Sequence, residues 1–223
     1  MQPAQVSLLD SERHVRESLS RLPLTEVGSR LRAKRCDLGI SIRDLAKKAM
    51  VSKTSIVNIE AGKSCRPSTL VMVSVAMGLH VDRFLTASEG ESPATVQVHR
   101  RKDDRWYELD AMANGPVESA GSTELRQQLF SNGSGPLMLM FQNIPLEAGF
   151  VAGIVELASA SAARTHPGME WVCVLSGRAE VTVAAQTYDL HEKESILFEG
   201  SAEHSYSPHK KGDAVTLFIV RRD

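Results

Sequence analysis

Residues 45–62, LAKKAMVSKTSIVNIEAG, constrain the fold of this chain more than any other stretch. Apolar residues recur at helical spacing in its first half, and a second helical stripe begins at Ile56 and Ile59. Between the two stripes, Ser52 is a residue type whose hydroxyl caps the start of a helix. Gly62 is the type that ends one. The stretch therefore predicts two short helices joined by a tight turn, a helix-turn-helix.

The second predicted helix carries short polar side chains and one cation. They are Lys53, Thr54, Ser55 and Asn58. Hydrogen-bonding side chains of this size suit the edges of bases and the phosphates that line a major groove. This face predicts contact with double-stranded DNA.

The charge of the chain is unevenly distributed. Residues 1–90 contain 14 Lys and Arg against 9 Asp and Glu, whereas residues 91–223 contain 12 against 18. A basic first part favours a polyanionic partner, and an acidic second part indicates that this partner stays on the first.

Several protein classes are excluded by what the sequence lacks. No apolar run approaches the roughly 18 residues of a membrane span, and no basic region followed by a hydrophobic stretch marks a secretory signal. The three cysteines are odd in number and not in metal-ligand spacing, which is typical of reduced thiols. These features predict a cytoplasmic protein with no membrane partner.

Further helical patterns flank the helix-turn-helix. One ends at Gly39, one begins at Pro67, and a last short one is VDRFL. Together they predict five helices over residues 25–86, with residues 1–24 as an N-terminal extension outside the domain. Val15, Leu19 and Leu22 would share one face of a short helix in this extension, or the segment would be a mobile leader.

Residues 25–86 resemble the Cro/phage-repressor, or XRE-like, DNA-binding domain. The features that carry the resemblance are the Leu45-Ala46 pair, the Ser52 cap, Ile59-Glu60-x-Gly62, Pro67 and the helix containing Leu70. The resemblance implies a five-helix domain whose third helix enters the major groove.

Matched position by position, the resemblance also implies individual DNA contacts. The residues that would face bases are Lys53, Thr54 and Asn58. Those near phosphate would be Ser52 and Ser55. The family often has Gln where this chain has Ile42, so the backbone contact made by that Gln would either be missing or pass to Ser41 or Arg43.

After a small, acidic and Pro-containing linker at residues 87–94, the pattern changes from helical to strand-like. Short segments in which apolar and polar residues alternate are separated by turns. The first contains Val96 and Val98, and the last is residues 215–220. Residues 95–223 are therefore predicted to form an antiparallel sandwich or barrel.

Four side chains in this second domain could carry chemistry: Arg164, His166, Glu170 and His204. The run RTHPGMEWVCVLSGRAEV resembles the first motif of the cupin family, in which His166, Glu170 and Gly177 match in type and spacing. The run LHEKESILFEGSAEHSYS resembles the second motif, with His204 at the last metal-ligand position. The resemblance implies a double-stranded β-helix barrel with a pocket between its sheets.

Arg164 stands where the first motif has its first His. A guanidinium has no lone pair to donate and repels a cation. Three interpretations therefore compete: an anionic small molecule paired with Arg164 and no metal; a divalent transition metal on His166, Glu170 and His204 with Arg164 turned to solvent; or side chains that only hydrogen-bond to each other.

The order of the two domains resembles bacterial regulators that join an XRE-type helix-turn-helix to a cupin. It implies a homodimer on a two-fold operator, with the barrel sensing a small effector through Arg164, His166, Glu170 and His204. The chain is predicted not to be an enzyme. One alternative is a metal-dependent cupin enzyme fused to a DNA-binding domain, and another is a barrel that only dimerises the protein.

Overall fold

The computed structural model of this chain separates into two compact units, one helical and one built of β-strands. The structure describes residues 8–85, 96–114, 116–117, 135–141 and 143–222. The predicted linker, residues 87–94, lies outside the described residues. The architecture of helices followed by a β-rich region is the predicted one.

Six helices make up the described part of the helical unit. They are α1 (Leu8–Leu19), α2 (Leu24–Asp37), α3 (Ile42–Lys48), α4 (Lys53–Glu60), α5 (Pro67–Ala76) and α6 (Asp82–Leu85). Each contributes a fully buried apolar side chain, in chain order Val15, Leu31, Leu45, Ile56, Leu70 and Phe84. Burying one such side chain contributes about 1.5–3 kcal/mol, so the helices stabilise each other.

Helix α1 is the main difference from the sequence prediction, which counts five helices and leaves residues 1–24 outside the domain. It packs against α5 and α6, with Val15 buried on its inner face. His14 Nε2 lies 2.5 Å from Asp82 Oδ1, and this hydrogen bond raises the pKa of His14. Sequence reasoning found no partner for α1 because Asp82 is far away along the chain.

Helices α3 and α4 form the predicted helix-turn-helix, and both begin at a serine cap. Ser52 Oγ accepts from the backbone N–H of Ser55 at 3.0 Å, and Ser41 Oγ accepts from that of Asp44 at 3.1 Å. Beyond the end of α4, Gly62 has a φ of 65°, in the left-handed region that favours glycine. The predicted roles of Ser52 and Gly62 are confirmed.

The turn between α3 and α4 holds Met50 in the left-handed region, with a φ of 54°. A non-glycine residue there costs roughly 1–2 kcal/mol because its Cβ crowds the next carbonyl oxygen. The Met50 side chain is 83% exposed, so its removal loses little packing. We expect Met50→Gly to raise the free energy of unfolding by about 0.5–1 kcal/mol, since relief of the crowding exceeds the added entropy of the unfolded chain.

Urea denaturation of the Met50→Gly protein measures this gain. Met50→Ala is the matched control, because it removes the side chain but keeps the Cβ and should not be stabilised. Equal stability of the two variants would show that Met50 is not strained.

A partly buried ion pair ties α2 to α4. Arg35 donates from Nε and Nη2 to the two carboxylate oxygens of Glu60, at 2.5 and 2.9 Å, and from Nη1 to the Ile40 carbonyl at 3.0 Å. The Arg35 and Glu60 side chains are 11% and 8% exposed. Close by, a Cβ on Gly28 would lie 2.2 Å from the Ile59 carbonyl oxygen, so only glycine allows this approach of the two helices. These contacts fix the position of α4.

We expect Glu60→Gln to lower the free energy of unfolding of the helical unit by about 2 kcal/mol, because the partly buried Arg35 loses its carboxylate partner. Chemical denaturation monitored by circular dichroism measures the change. Asp189→Asn is the matched control, since the Arg178–Asp189 pair has side chains 41% and 40% exposed and is screened by solvent. A loss no larger than that of the control would contradict a structural role for the Glu60 pair.

The described part of the β unit has nine strands. They are β1 (Trp106–Glu108), β2 (Leu137–Met140), β3 (Phe150–Leu157), β4 (Met169–Ser176), β5 (Ala179–Val183), β6 (Gln186–Leu190), β7 (Ser195–Glu199), β8 (His204–Pro208) and β9 (Val215–Arg222). They pair antiparallel in two sheets of order β1-β2-β3-β9-β4-β7 and β6-β5-β8. The strand predicted at Val96 and Val98 is absent, and that segment has no regular structure.

The core of the β unit lies between its two sheets. Val172 and Leu217 of the larger sheet pack in one cluster with Val181 and Tyr206 of the smaller sheet. Alternate residues of β4 are buried, and Glu170 falls on the same inward face as Val172. The strand therefore carries a carboxylate into the barrel.

Among the helices of the described ranges, none is both long and apolar enough to cross a lipid bilayer.

Candidate functional site

The outward face of α4 carries the side chains that the sequence predicts to face DNA. Lys53 and Thr54 are exposed, and Ser55 and Asn58 are partly exposed, while Ile56 is buried on the opposite face. The structure thus gathers the four polar residues on one accessible surface. Their contact with bases and phosphates stays a prediction.

The serine caps limit what their own hydroxyls can offer to DNA. Ser41 Oγ donates its hydrogen to Asp44 Oδ2 at 2.6 Å while it caps α3, and Ser52 Oγ lies 2.8 Å from Ser55 Oγ. A phosphate oxygen accepts hydrogen bonds, and a serine hydroxyl has only one hydrogen to donate. A hydroxyl whose hydrogen is already donated within the protein has none left for a phosphate. Of the two residues predicted to replace the family's Gln contact, the exposed Arg43 is therefore the better donor.

One residue of this surface was not found from the sequence. Val57 is 47% exposed and lies one helical turn after Lys53 on α4. Only the polar residues of this helix were selected from the sequence, and Val57 was left out because it is apolar.

In the β unit, His166, Glu170 and His204 converge, and their ligand atoms all lie within 4.8 Å of one another. His166 Nε2 is 2.6 Å from Glu170 Oε2, and His204 Nε2 is 4.0 Å from the same oxygen. The centroids of the two imidazole rings are 5.0 Å apart. The structure thus brings together the three residues predicted as metal ligands.

Backbone pairing holds the two histidines at this spot. The segment before β4 pairs with the start of β8 through two hydrogen bonds between Arg164 and His204, at 2.9 and 3.0 Å. The N–H of His166 donates to the Gly200 carbonyl at 2.8 Å. A Cβ on Gly200 would lie 2.2 Å from the His166 ring, so this glycine leaves room for the imidazole.

Hydrogen bonds also decide which ring nitrogen faces the cluster. His166 Nδ1 lies 2.9 Å from the Pro167 carbonyl oxygen, and His204 Nδ1 lies 2.8 Å from that of Ala202. Because a carbonyl oxygen only accepts, each Nδ1 carries a hydrogen and each Nε2 faces Glu170. Buried His204 Nε2 makes no hydrogen bond within the described part of the chain.

The electrostatics of the cluster suit a cation. Burial lowers the pKa of His204, which favours a neutral ring with a lone pair on Nε2. Burial acts to raise the pKa of Glu170, but hydrogen bonds from His166 and Tyr206 outweigh it and hold the pKa below its usual value. An ionised carboxylate and a neutral imidazole are the protonation states that bind metal, so a metal would displace the proton through which His166 Nε2 bonds to Glu170 Oε2.

The donor set therefore fits a divalent transition metal. Two imidazole nitrogens and one carboxylate oxygen are ligands for zinc, iron, manganese or nickel. Each has a supporting hydrogen bond, from His166 and His204 to carbonyls and from Tyr206 to Glu170, as metal ligands in proteins usually do. An ion would also satisfy the buried lone pair of His204.

Arg164 turns toward Asp110, and its side chain stays 23% exposed. Its Nη2 lies 2.7 Å from Asp110 Oδ1 and 3.3 Å from the Ala162 carbonyl oxygen, and its Nη1 lies 3.4 Å from that of Leu109. The carboxylate of Asp110 thus balances the positive charge of Arg164, which would otherwise repel a metal ion. An anionic ligand would have to compete with Asp110 for Arg164.

Two residues of the site were missed from the sequence. The Tyr206 hydroxyl donates to Glu170 Oε1, and its position two residues after His204, on the same face of β8, was a usable signal. Asp110 lies far from Arg164 along the chain, and no local pattern could have paired them.

Both units match known families. The helix-turn-helix family matches residues 31–84, and the cupin-domain family matches residues 153–220. The first range contains α3 and α4, and the second contains His166, Glu170 and His204. The resemblances seen in the sequence are confirmed at both ends of the chain.

Solved structures that match this chain include a transcriptional regulator of the HTH_3 family from Vibrio cholerae, with 18% identity and a TM-score of 0.40 over 90% of this chain and 97% of that chain. Hydroxypropylphosphonic acid epoxidase from S. wedmorenis has 12% identity and a TM-score of 0.43, over 88% and 97%. The cupin domain of Schizosaccharomyces pombe Cnp3 has 23% identity and a TM-score of 0.35, over 40% and 65%.

Proposed function

The chain joins a helix-turn-helix domain to a cupin domain, and we propose that it is a sequence-specific DNA-binding transcriptional regulator whose barrel binds a small effector. The observation that carries the proposal is the accessible polar face of α4, formed by Lys53, Thr54 and Asn58 within the matched helix-turn-helix. Such a face supports direct reading of base edges. The protein would act in the cytoplasm, where its DNA partner lies.

The regulator acts as a homodimer on a two-fold symmetric operator. Each α4 enters a major groove, and the half-sites lie roughly 34 Å apart, about one turn of DNA. Lys53 and Asn58 read bases, and Arg43 contacts the phosphate backbone.

The barrel holds a divalent transition metal through His166, Glu170 and His204. Arg164 already has a carboxylate partner, whereas His204 Nε2 makes no hydrogen bond among the described residues, and both facts support metal over a free anion. The metal would supply open coordination positions to an effector with oxygen or nitrogen donors. Coupling between effector and operator binding is typically worth about 1–3 kcal/mol.

A metal-dependent cupin enzyme with a DNA-binding appendage is the second candidate. The specific observation that favours it is the donor set, since two histidines and one carboxylate are also the ligands of many iron oxygenases. A protein that binds operator DNA without turning over any substrate supports the regulator. Turnover without sequence-specific DNA binding supports the enzyme.

Selection from a pool of random DNA duplexes tests the proposed function. The full chain should enrich a two-fold symmetric motif whose half-sites are about one helical turn apart. Enrichment of no motif by a folded, metal-loaded protein would show that the chain is not a sequence-specific regulator.

A further inference from the structure

The two oxygens of the Glu170 carboxylate have different partners. Oε1 accepts from the Tyr206 hydroxyl. Oε2 lies 2.6 Å from His166 Nε2 and 4.0 Å from His204 Nε2. One oxygen thus faces a neutral donor, while the other faces both histidines.

Core packing and hydrogen bonds hold Tyr206 in place. Its side chain packs in the barrel core, and the residue is 2% exposed. Its N–H donates to Ser161 Oγ at 3.0 Å, its carbonyl accepts from the Ser161 N–H at 2.8 Å, and the Arg164 guanidinium lies 5.8 Å from its ring centroid. A tyrosine packed in this way keeps its hydroxyl at Glu170.

We propose that Tyr206 is a positioning residue that makes Glu170 a one-oxygen ligand: it occupies Oε1 and presents Oε2 alone to a metal held with His166 and His204. The inference rests on the metal site of the proposed function. The Tyr206 hydroxyl keeps its hydrogen and does not coordinate the metal.

This role has a consequence for the coordination shell. A carboxylate that binds through both oxygens fills two positions, whereas one held by Tyr206 fills one and leaves the other open. Tyr206 thereby keeps a position free for an effector. Loss of the hydroxyl would let Glu170 rotate and offer both oxygens.

Cobalt binding to the full-length protein tests the inference with Tyr206→Phe, which removes one hydroxyl and keeps the packed ring. We expect cobalt affinity to fall by about 10–100-fold, as is usual when a hydrogen bond to a metal ligand is lost. The visible absorption of bound cobalt should also change in position and intensity, because a second Glu170 oxygen enters the shell. A merely structural role would leave this spectrum unchanged.

Tyr188→Phe is the matched control, since Tyr188 is 37% exposed on β6 of the same barrel. It should bind cobalt as the wild type does, with the same spectrum. Identical affinity and spectrum in Tyr206→Phe and wild type would overturn the role of Tyr206 alone. A wild-type protein that binds no cobalt would overturn the metal site as well, while the operator selection would still decide the regulatory function.

Discussion

Replacing His204 by alanine is expected to abolish stoichiometric metal binding by the barrel. The buried Nε2 of His204 is the one atom of the cluster with a lone pair and no hydrogen-bond partner in the described residues. Its removal leaves two protein ligands, His166 and Glu170, which already bond to each other at 2.6 Å. Because loss of a supporting hydrogen bond costs about 10–100-fold in metal affinity, loss of a ligand should cost more than about 100-fold.

Metal analysis after dialysis, followed by titration with zinc or cobalt, measures this loss. His209→Ala is the matched control, because His209 pairs with Glu180 on the outside of the smaller sheet, away from the cluster. The control should keep its metal, and both variants should keep the circular dichroism spectrum of the wild type. Undiminished metal binding by a folded His204→Ala protein would remove this histidine from the site.

The double variant Lys53→Ala/Asn58→Ala is expected to lose operator binding with an intact fold. Both side chains lie on the accessible face of α4, and neither belongs to the buried core. A base contact is worth about 1–3 kcal/mol, so the pair together should cost about 3 kcal/mol, roughly 100-fold in affinity. Fluorescence anisotropy at one fixed salt concentration measures the change.

Lys210→Ala is the control for charge, because Lys210 is an exposed lysine of the barrel. It removes the same positive charge as Lys53→Ala and should leave operator affinity nearly unchanged. If the Lys53/Asn58 variant binds the operator as tightly as the control does, α4 is not the recognition helix.

The helix-turn-helix could be predicted from the sequence because its signals are local. Ser52 and Gly62 mark the ends of α4 through contacts and dihedral angles within a few residues. Helix α1 was placed outside the domain because its docking depends on distant residues such as Asp82. The strain at Met50 was missed because nothing in a methionine indicates a positive φ.

In the candidate metal centre, too, local sequence signals could be read, whereas contacts with distant residues could not. The resemblance to the two cupin motifs, with His166 and Glu170 in the first and His204 in the second, allowed the three residues to be grouped. The direction of Arg164 could not be predicted, because its partner Asp110 comes from a segment before the barrel strands that form the site. Burial and the hydrogen bonds that orient each imidazole are properties of the fold alone.

Sequence-specific DNA binding is the central claim, and the affinity of the full-length protein for its selected operator tests it most directly. Binding should be measured on that duplex and on one of the same length and composition with the half-sites scrambled, at the same salt concentration. We expect the protein to bind the operator at least about 1,000-fold more tightly than the scrambled duplex. Equal affinity for the two duplexes would contradict it.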